Sequence, residues 1–205
     1  MNLLLRRLLS SALLALVWMA DVRSASVPAV PVEVAMVKFS NLRAPNGSPG
    51  NWYEAAVVLN VRPAPGAPAQ MVSRVKVGLL LGFEFAGTAG SERRTVLYRA
   101  EAECVALEPG RTEVRFYLPA EIVKRDQLHG DPRQWGVELA VEGRPLPSGR
   151  AAYSSNLAGA EARLAFQKRA PAAAVNDGVL VPQYLSPFAG EYPRATPSFV
   201  RREMR

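Results

Sequence analysis

The residues able to do chemistry in this chain are few and badly spaced for it. There is one histidine, His129, beside Gly130 in a turn, and one cysteine, Cys104. A protein zinc site takes three or four nitrogen, sulfur or carboxylate ligands at short spacings, and one residue of each kind cannot supply them. Asp126 and Asp131 flank the histidine. That pattern suits weak calcium binding by a loop, and a solvated polar turn explains it equally well. Glu101 and Glu103 fall on one face of a strand-like run. Paired carboxylates can hydrolyse glycosides, yet a regular Glu-x-Glu on a strand is ordinarily a wet surface. No Gly-x-Ser-x-Gly elbow occurs, and His129 would be the sole base available to a nucleophile. No glycine-rich phosphate loop is followed by Lys-Ser or Lys-Thr. The expectation is a chain with no catalytic residues, no metal and no cofactor, and therefore not an enzyme.

The elements around these residues are mostly strands. In residues 72–86, Val75, Val77, Leu79, Leu81, Phe83 and Phe85 recur at every second position. A helix would spread them around its circumference, whereas a strand collects them on one face. Gly78 and Gly82 on the other face could admit a bend or a bulge. Residues 94–107 repeat the alternation, with Val96, Tyr98, Ala100, Ala102 and Cys104 together. This makes Cys104 a small buried hydrophobe rather than a reactive thiol. Glu108-Pro109-Gly110 then leads into Thr112, Val114, Phe116 and Leu118, which reads as a hairpin. Trp52 to Val61 alternates with Tyr53, Ala55, Val57, Leu59 and Val61 on one face. In residues 32–39 two apolar sets alternate, Val32, Val34 and Met36 on one side against Ala35, Val37 and Phe39 on the other, which predicts a strand with both faces at least partly covered. Trp135, Val137, Leu139 and Val141 form a further strand, with residues 150–154 as its returning partner.

About seven strands separated by turns predict a mainly β chain, an antiparallel β-sandwich of immunoglobulin-like architecture. An open barrel is the competing closure. The immunoglobulin disulfide is absent, because Cys104 has no second cysteine to pair with. A short helix is expected over 120–127, behind Pro119. An amphipathic helix is expected over 156–169 through Leu157, Ala160, Leu164 and Phe166. Beyond Pro171 the chain reads as an extended, Pro-rich tail, with Val179-Leu180-Val181 able to add a strand.

Arg6 and Arg7 precede an apolar run from Leu8 to Met19, and small residues follow at Ala20, Ser24, Ala25 and Ser26. This is the layout of a secretory signal peptide. The run is shorter than the roughly 20 apolar residues of a membrane-spanning helix. Residues 1–24 are thus expected to be a signal peptide, 25–155 the sandwich, and 156–205 the C-terminal helix and tail. The chain is expected to be exported and peripheral to a membrane at most.

The formal net charge is +7, but the basic residues are scattered, with small clusters only at Arg93-Arg94 and Arg201-Arg202. No basic stripe interleaves with aromatics, so no nucleic-acid partner is expected. The tail is the better lead. Tyr184, Phe188, Tyr192 and Phe199 alternate with Pro182, Pro187, Pro193 and Pro197. An extended Pro-rich segment loses little entropy on docking. These four aromatics are the candidate protein contacts, either folded back on their own sandwich or bound to a neighbour by strand addition. Exposed Trp52, Trp135 or Tyr rings would instead suit stacking on sugars.

Several short stretches carry a resemblance. They are Val37-Lys38-Phe39, Asn51-Trp52-Tyr53-Glu54, Asn176-Asp177-Gly178-Val179-Leu180-Val181-Pro182-Gln183 and Ser186-Pro187-Phe188, together with the long third strand. With them the chain resembles the pilus-associated, immunoglobulin-like protein family of the Akkermansia type, found in Verrucomicrobia. The resemblance implies a β-sandwich encoded among type IV pilus or secretin genes, with no known enzymatic role and no catalytic residues to carry over. It also implies the periplasm or cell surface of a Gram-negative-type bacterium, with pilus or secretin components as partners. The long apolar amino-terminal helix of a filament subunit is missing, so an accessory role is expected. The alternative is a carbohydrate- or small-ligand-binding module.

Overall fold

The computed structural model describes residues 30–45, 47, 49–62, 70–85, 94–128 and 130–201. The expected signal peptide and His129 lie outside the described residues. Among the described residues eight strands follow in order: β1 (Val32–Arg43), β2 (Asn51–Val61), β3 (Val72–Phe85), β4 (Arg94–Leu107), β5 (Gly110–Leu118), β6 (Gln134–Val141), β7 (Arg144–Pro145) and β8 (Val181–Pro182). They build two four-stranded antiparallel sheets, ordered β1-β2-β5-β8 and β4-β3-β6-β7. The chain is a β-sandwich. Among the described residues no helix is long and apolar enough to cross a membrane.

The inward faces are the ones the alternation names. Val75, Val77, Leu79, Leu81 and Phe83 of β3 meet Tyr53, Ala55, Val57, Leu59 and Val61 of β2 across one core. Each fully buried leucine or valine contributes about 1.5–3 kcal/mol. Aromatic rings line one end of the core. Phe39 stacks on Tyr53 at 5.9 Å, and Tyr53 meets Phe83 edge-on at 5.5 Å. Phe83 in turn meets Tyr98 at 6.1 Å.

Cys104 is fully buried here, and desolvation pushes its thiol up to about 12. A chromogenic disulfide reagent at about pH 8 should therefore label folded protein only as fast as it unfolds. Rapid labelling of the native chain would place Cys104 at the surface instead.

Four readings of the strands need correction. First, the two apolar sets of β1 do not take opposite faces. Its register against β2 shifts between Val34 and Met36. This bulge swaps the inward phase, so Val34, Val37 and Phe39 all pack on the core while Met36 turns out, 43% exposed. One inserted residue moves every later side chain to the other face, which is why two apolar sets overlap in the sequence. Second, β4 and β5 are not a hairpin. β4 pairs β3, and β5 pairs β2 in the opposite sheet. Gly110, at φ +114°, carries the chain from one sheet to the other.

Third, Gly78 and Gly82 mark no bulge, because the ladders of β3 run through both in continuous register. Gly82 makes room instead. A Cβ there would lie 3.2 Å from Leu97 and 3.3 Å from the Phe166 ring. Fourth, the partner of β6 is β7, and residues 150–152 form a 3-10 turn. Only a single bridge joins Gly136 to Tyr153.

Helix α1 (Ala120–Arg125) starts behind Pro119, with Glu121 in its first turn and Lys124 and Arg125 in its last. That order matches the helix dipole. Helix α2 (Ala160–Lys168) is shorter than the expected span, since Ser155–Leu157 is a separate 3-10 turn. Leu157 and Phe166 are buried, whereas Leu164 is 55% exposed. Phe166 reaches the outer face of the β4-β3-β6-β7 sheet over Gly82 and Gly136. The chain after Pro171 is less extended than its prolines suggest. It forms 3-10 turns at Ala170–Asn176 and Gln183–Leu185, with Pro171 in the first turn of the former.

Candidate functional site

The outer face of the β1-β2-β5-β8 sheet is built from residues that a solvated strand would leave in water. Register places Ser40, Glu54 and Tyr117 in one row across three strands, and Lys38, Ala56 and Arg115 in the next. Glu54 and Arg115 are nevertheless buried, and Tyr117 completely so. Buried charges persist only when paired and hydrogen-bonded. The Tyr117 hydroxyl donates to Glu54 Oε2 at 2.6 Å, and Ser40 Oγ donates to Oε1 at 3.2 Å. Arg115 Nε lies 3.7 Å from Glu54 Oε2, and Arg115 Nη2 donates to Glu113. Lys38 Nζ donates to the other oxygen of Glu113 at 2.8 Å.

The electrostatics follow from these bonds. Burial first, then the hydrogen bond to Glu54, push the Tyr117 hydroxyl far above the usual phenol range, so it remains a donor. The hydrogen bond from Lys38, with help from Arg115, holds the Glu113 carboxyl below its ordinary range. A lowered folded value adds stability above the ordinary carboxylate range, and this is lost as pH falls through the lowered value.

The C-terminal segment covers this face as a strap. β8 pairs its two residues with Tyr117 and Phe116 of β5. Pro182 can sit there because β8 is an edge strand and needs no second donor. Phe188 then lies flat on Tyr117, centroids 4.4 Å apart and planes within 5°, and meets Trp52 edge-on at 5.9 Å. Tyr192 places its ring 4.3 Å from the guanidinium of Arg115. The strap is tied to itself through Gln183, whose side chain is fully buried. Its Nε2 donates to the carbonyls of Phe188 at 3.0 Å and Glu191 at 2.9 Å, and Thr196 Oγ1 donates to its Oε1 at 3.3 Å.

Replacing Gln183 by alanine removes two hydrogen bonds to strap carbonyls, each of which keeps one other donor, Glu191 N–H for Phe188 and Thr196 Oγ1 for Glu191. The expected cost is about 2 kcal/mol, since each lost hydrogen bond contributes about 0.5–1.5 kcal/mol net. Limited trypsinolysis after Arg194 should accelerate in parallel. Unchanged cleavage and melting would remove Gln183 from this role.

The strap next reaches the opposite sheet. Ser198 O accepts from Val105 N at 2.8 Å, and Val200 N donates to Glu103 O at 2.7 Å. This seats Phe199 opposite Cys104 on β4. Tyr184 and Phe199 pack against each other at 5.2 Å. A groove of about 220 Å³ opens beside them, lined by Arg99, Glu101, Glu103, Tyr184 and Leu185. The four candidate contact aromatics thus divide into two pairs. Phe188 and Tyr192 hold the outer sheet face, and Tyr184 and Phe199 hold the β4 edge.

The chain is similar in fold to a solved protein from Akkermansia muciniphila. The TM-score is 0.62 at 15% identity, over 83% of this chain and 93% of that one. Little of that protein lies outside the shared architecture, and at this identity the likeness concerns the fold. No protein-family model and no curated protein matches this sequence.

Sequence reasoning missed Glu54, Arg115, Tyr117 and Gln183. A signal for Glu54 was present: it is the one charge between Trp52 and Val61, in a strand apolar on both faces. Asp126, read as part of a loop, instead accepts from Tyr98 and from both Nε and Nη2 of Arg125. Among the described residues no three His, Cys, Asp or Glu side chains gather at metal-binding spacing. The tryptophans considered for sugar stacking are half-buried. Trp52 makes edge contact with Phe188, and Trp135 with Phe39.

Proposed function

We propose that this chain is an exported, non-enzymatic envelope protein, an accessory to a type IV pilus or secretin system that works through protein contacts. One observation carries the reading. Two of the stretches that carry the family resemblance, residues 51–54 and 186–188, are far apart in sequence and meet in space, Trp52 against Phe188. Around that meeting point lies a buried polar network under an aromatic strap, a surface suited to recognition. The fold likeness to the Akkermansia protein agrees with the sandwich that the family implies.

The test uses the native cell. A tagged full-length chain is cross-linked and purified, and the encoding gene is deleted in parallel. Enrichment of named pilus or secretin components together with reduced piliation is the expected result. Recovery as a free monomer with normal piliation would reject the assignment.

A further inference from the structure

Two features of the strap tip are at odds with a finished internal contact. Tyr192 has φ +57°, a left-handed conformation that a bulky side chain adopts only under constraint. Beneath its ring, Arg115 is 7% exposed, and its Nη1 has no hydrogen-bond partner among the described residues. Buried donors are almost always satisfied. The strap covers the flat of the guanidinium and offers nothing to this edge. The carbonyl of Tyr192 itself is taken by the N–H groups of Ala195 at 2.9 Å and Thr196 at 3.0 Å.

We propose that Arg115 and the sheet face around it form a recognition site for an extended segment of a partner protein, and that Tyr192 is its internal stand-in. In the complex an aromatic side chain of the partner replaces the Tyr192 ring over the guanidinium, and a backbone carbonyl accepts from Arg115 Nη1. The proposal rests on the reading of this protein as one that acts through protein contacts.

Charge selects the class of occupant. Arg115 and Lys38 are matched by Glu54 and Glu113. The site therefore has no surplus positive charge for a phosphate or carboxylate, and a neutral carbonyl satisfies Nη1 without desolvating a second anion. Shape agrees with this. The next register row is Met36, Val58 and Glu113, so the face continues past Arg115 onto an exposed methionine. The strap tip is also built to leave. The backbone hydrogen bonds of Ala189, Glu191, Ala195 and Thr196 all close within the strap, so side chains alone bind the tip to the sheet. An incoming segment chooses its backbone angles freely and brings the acceptor that the strap withholds.

The probe is a fluorescein-labelled peptide with the sequence of residues 189–195, Ala-Gly-Glu-Tyr-Pro-Arg-Ala, blocked at its C-terminus. It is titrated by fluorescence anisotropy into three full-length proteins: wild type, Tyr192→Gly, and Tyr192→Gly with Arg115→Lys. Tyr192→Gly removes the competing ring and the strained conformation together, and should bind the peptide at least tenfold more tightly than wild type. The double variant should lose at least tenfold of that gain, since lysine cannot present the guanidinium fork. A peptide with alanine in place of tyrosine should not bind. Equal binding by all three proteins, or by both peptides, would overturn the proposal.

Hydrogen exchange on the wild-type chain decides the matter if a variant does not fold. The amides of Ala195 and Thr196 should exchange at least a hundredfold faster than that of Tyr117, and equal protection would show a tip that never opens. Peptide binding lost while pilus components still co-purify sinks the site alone. The reverse pair of results sinks the assignment to that system and leaves the site standing.

Discussion

Leu81→Asp should yield a protein with no cooperative melting transition. Leu81 is fully buried in β3, the central strand of its sheet, between Tyr98 of β4 and Trp135 of β6. A carboxylate there would sit among apolar side chains, with no cation in the core among the described residues. The effective cost of an unpaired buried charge is several kcal/mol, to which the lost apolar burial adds about 2–5 kcal/mol. Domains of this size have only about 5–15 kcal/mol in total. Leu81→Ala, which loses burial and leaves a cavity, should instead lower stability by about 2–5 kcal/mol and keep a single transition. Thermal and urea melts followed by circular dichroism separate the two outcomes. A Leu81→Asp protein melting like wild type would take β3 out of the core.

Arg115→Ala is expected to cost about 3–5 kcal/mol, an effect usual for breaking a buried pair and unusual for an outer sheet face. The reason lies in what remains. Glu54 keeps its bonds from Tyr117 and Ser40 but loses the adjacent guanidinium, and Glu113 keeps the hydrogen bond from Lys38 but loses that from Arg115. Tyr192 also loses the cation beneath its ring. Removing both charges, as Arg115→Met with Glu54→Gln, should recover a large part of the loss, because no buried charge is then stranded. Urea titration of the two single variants and the double variant measures the coupling directly. A loss below about 1 kcal/mol in Arg115→Ala would identify these residues as an ordinary surface pair.

The strap shows how site and fold depend on each other. Phe188 and Tyr192 were visible as aromatics among prolines. What they cover was not, since Glu54 and Tyr117, joined by a 2.6 Å hydrogen bond, stand 63 positions apart. Glu113, Arg115 and Tyr117 alternate with Val114, Phe116 and Leu118, and taken as one strand they read as a solvated polar face. Only the arrival of the strap turns that face into a second, smaller interior. Gln183 is a similar case. A glutamine after Val181-Pro182 reads as a surface residue until three strap groups converge on it.

Alternation by itself determined the strands β2 to β6 and their inward faces, because burial acts on each strand through its own period and needs no knowledge of neighbours. It determined in the same way that Cys104 faces the core. The tertiary structure decided which strand lies beside which, that β4 and β5 belong to opposite sheets, that β1 changes phase at its bulge, and that a polar outer face becomes buried. Each of these depends on backbone ladders or side chains meeting across long stretches of chain, and a periodicity carries no record of its partner.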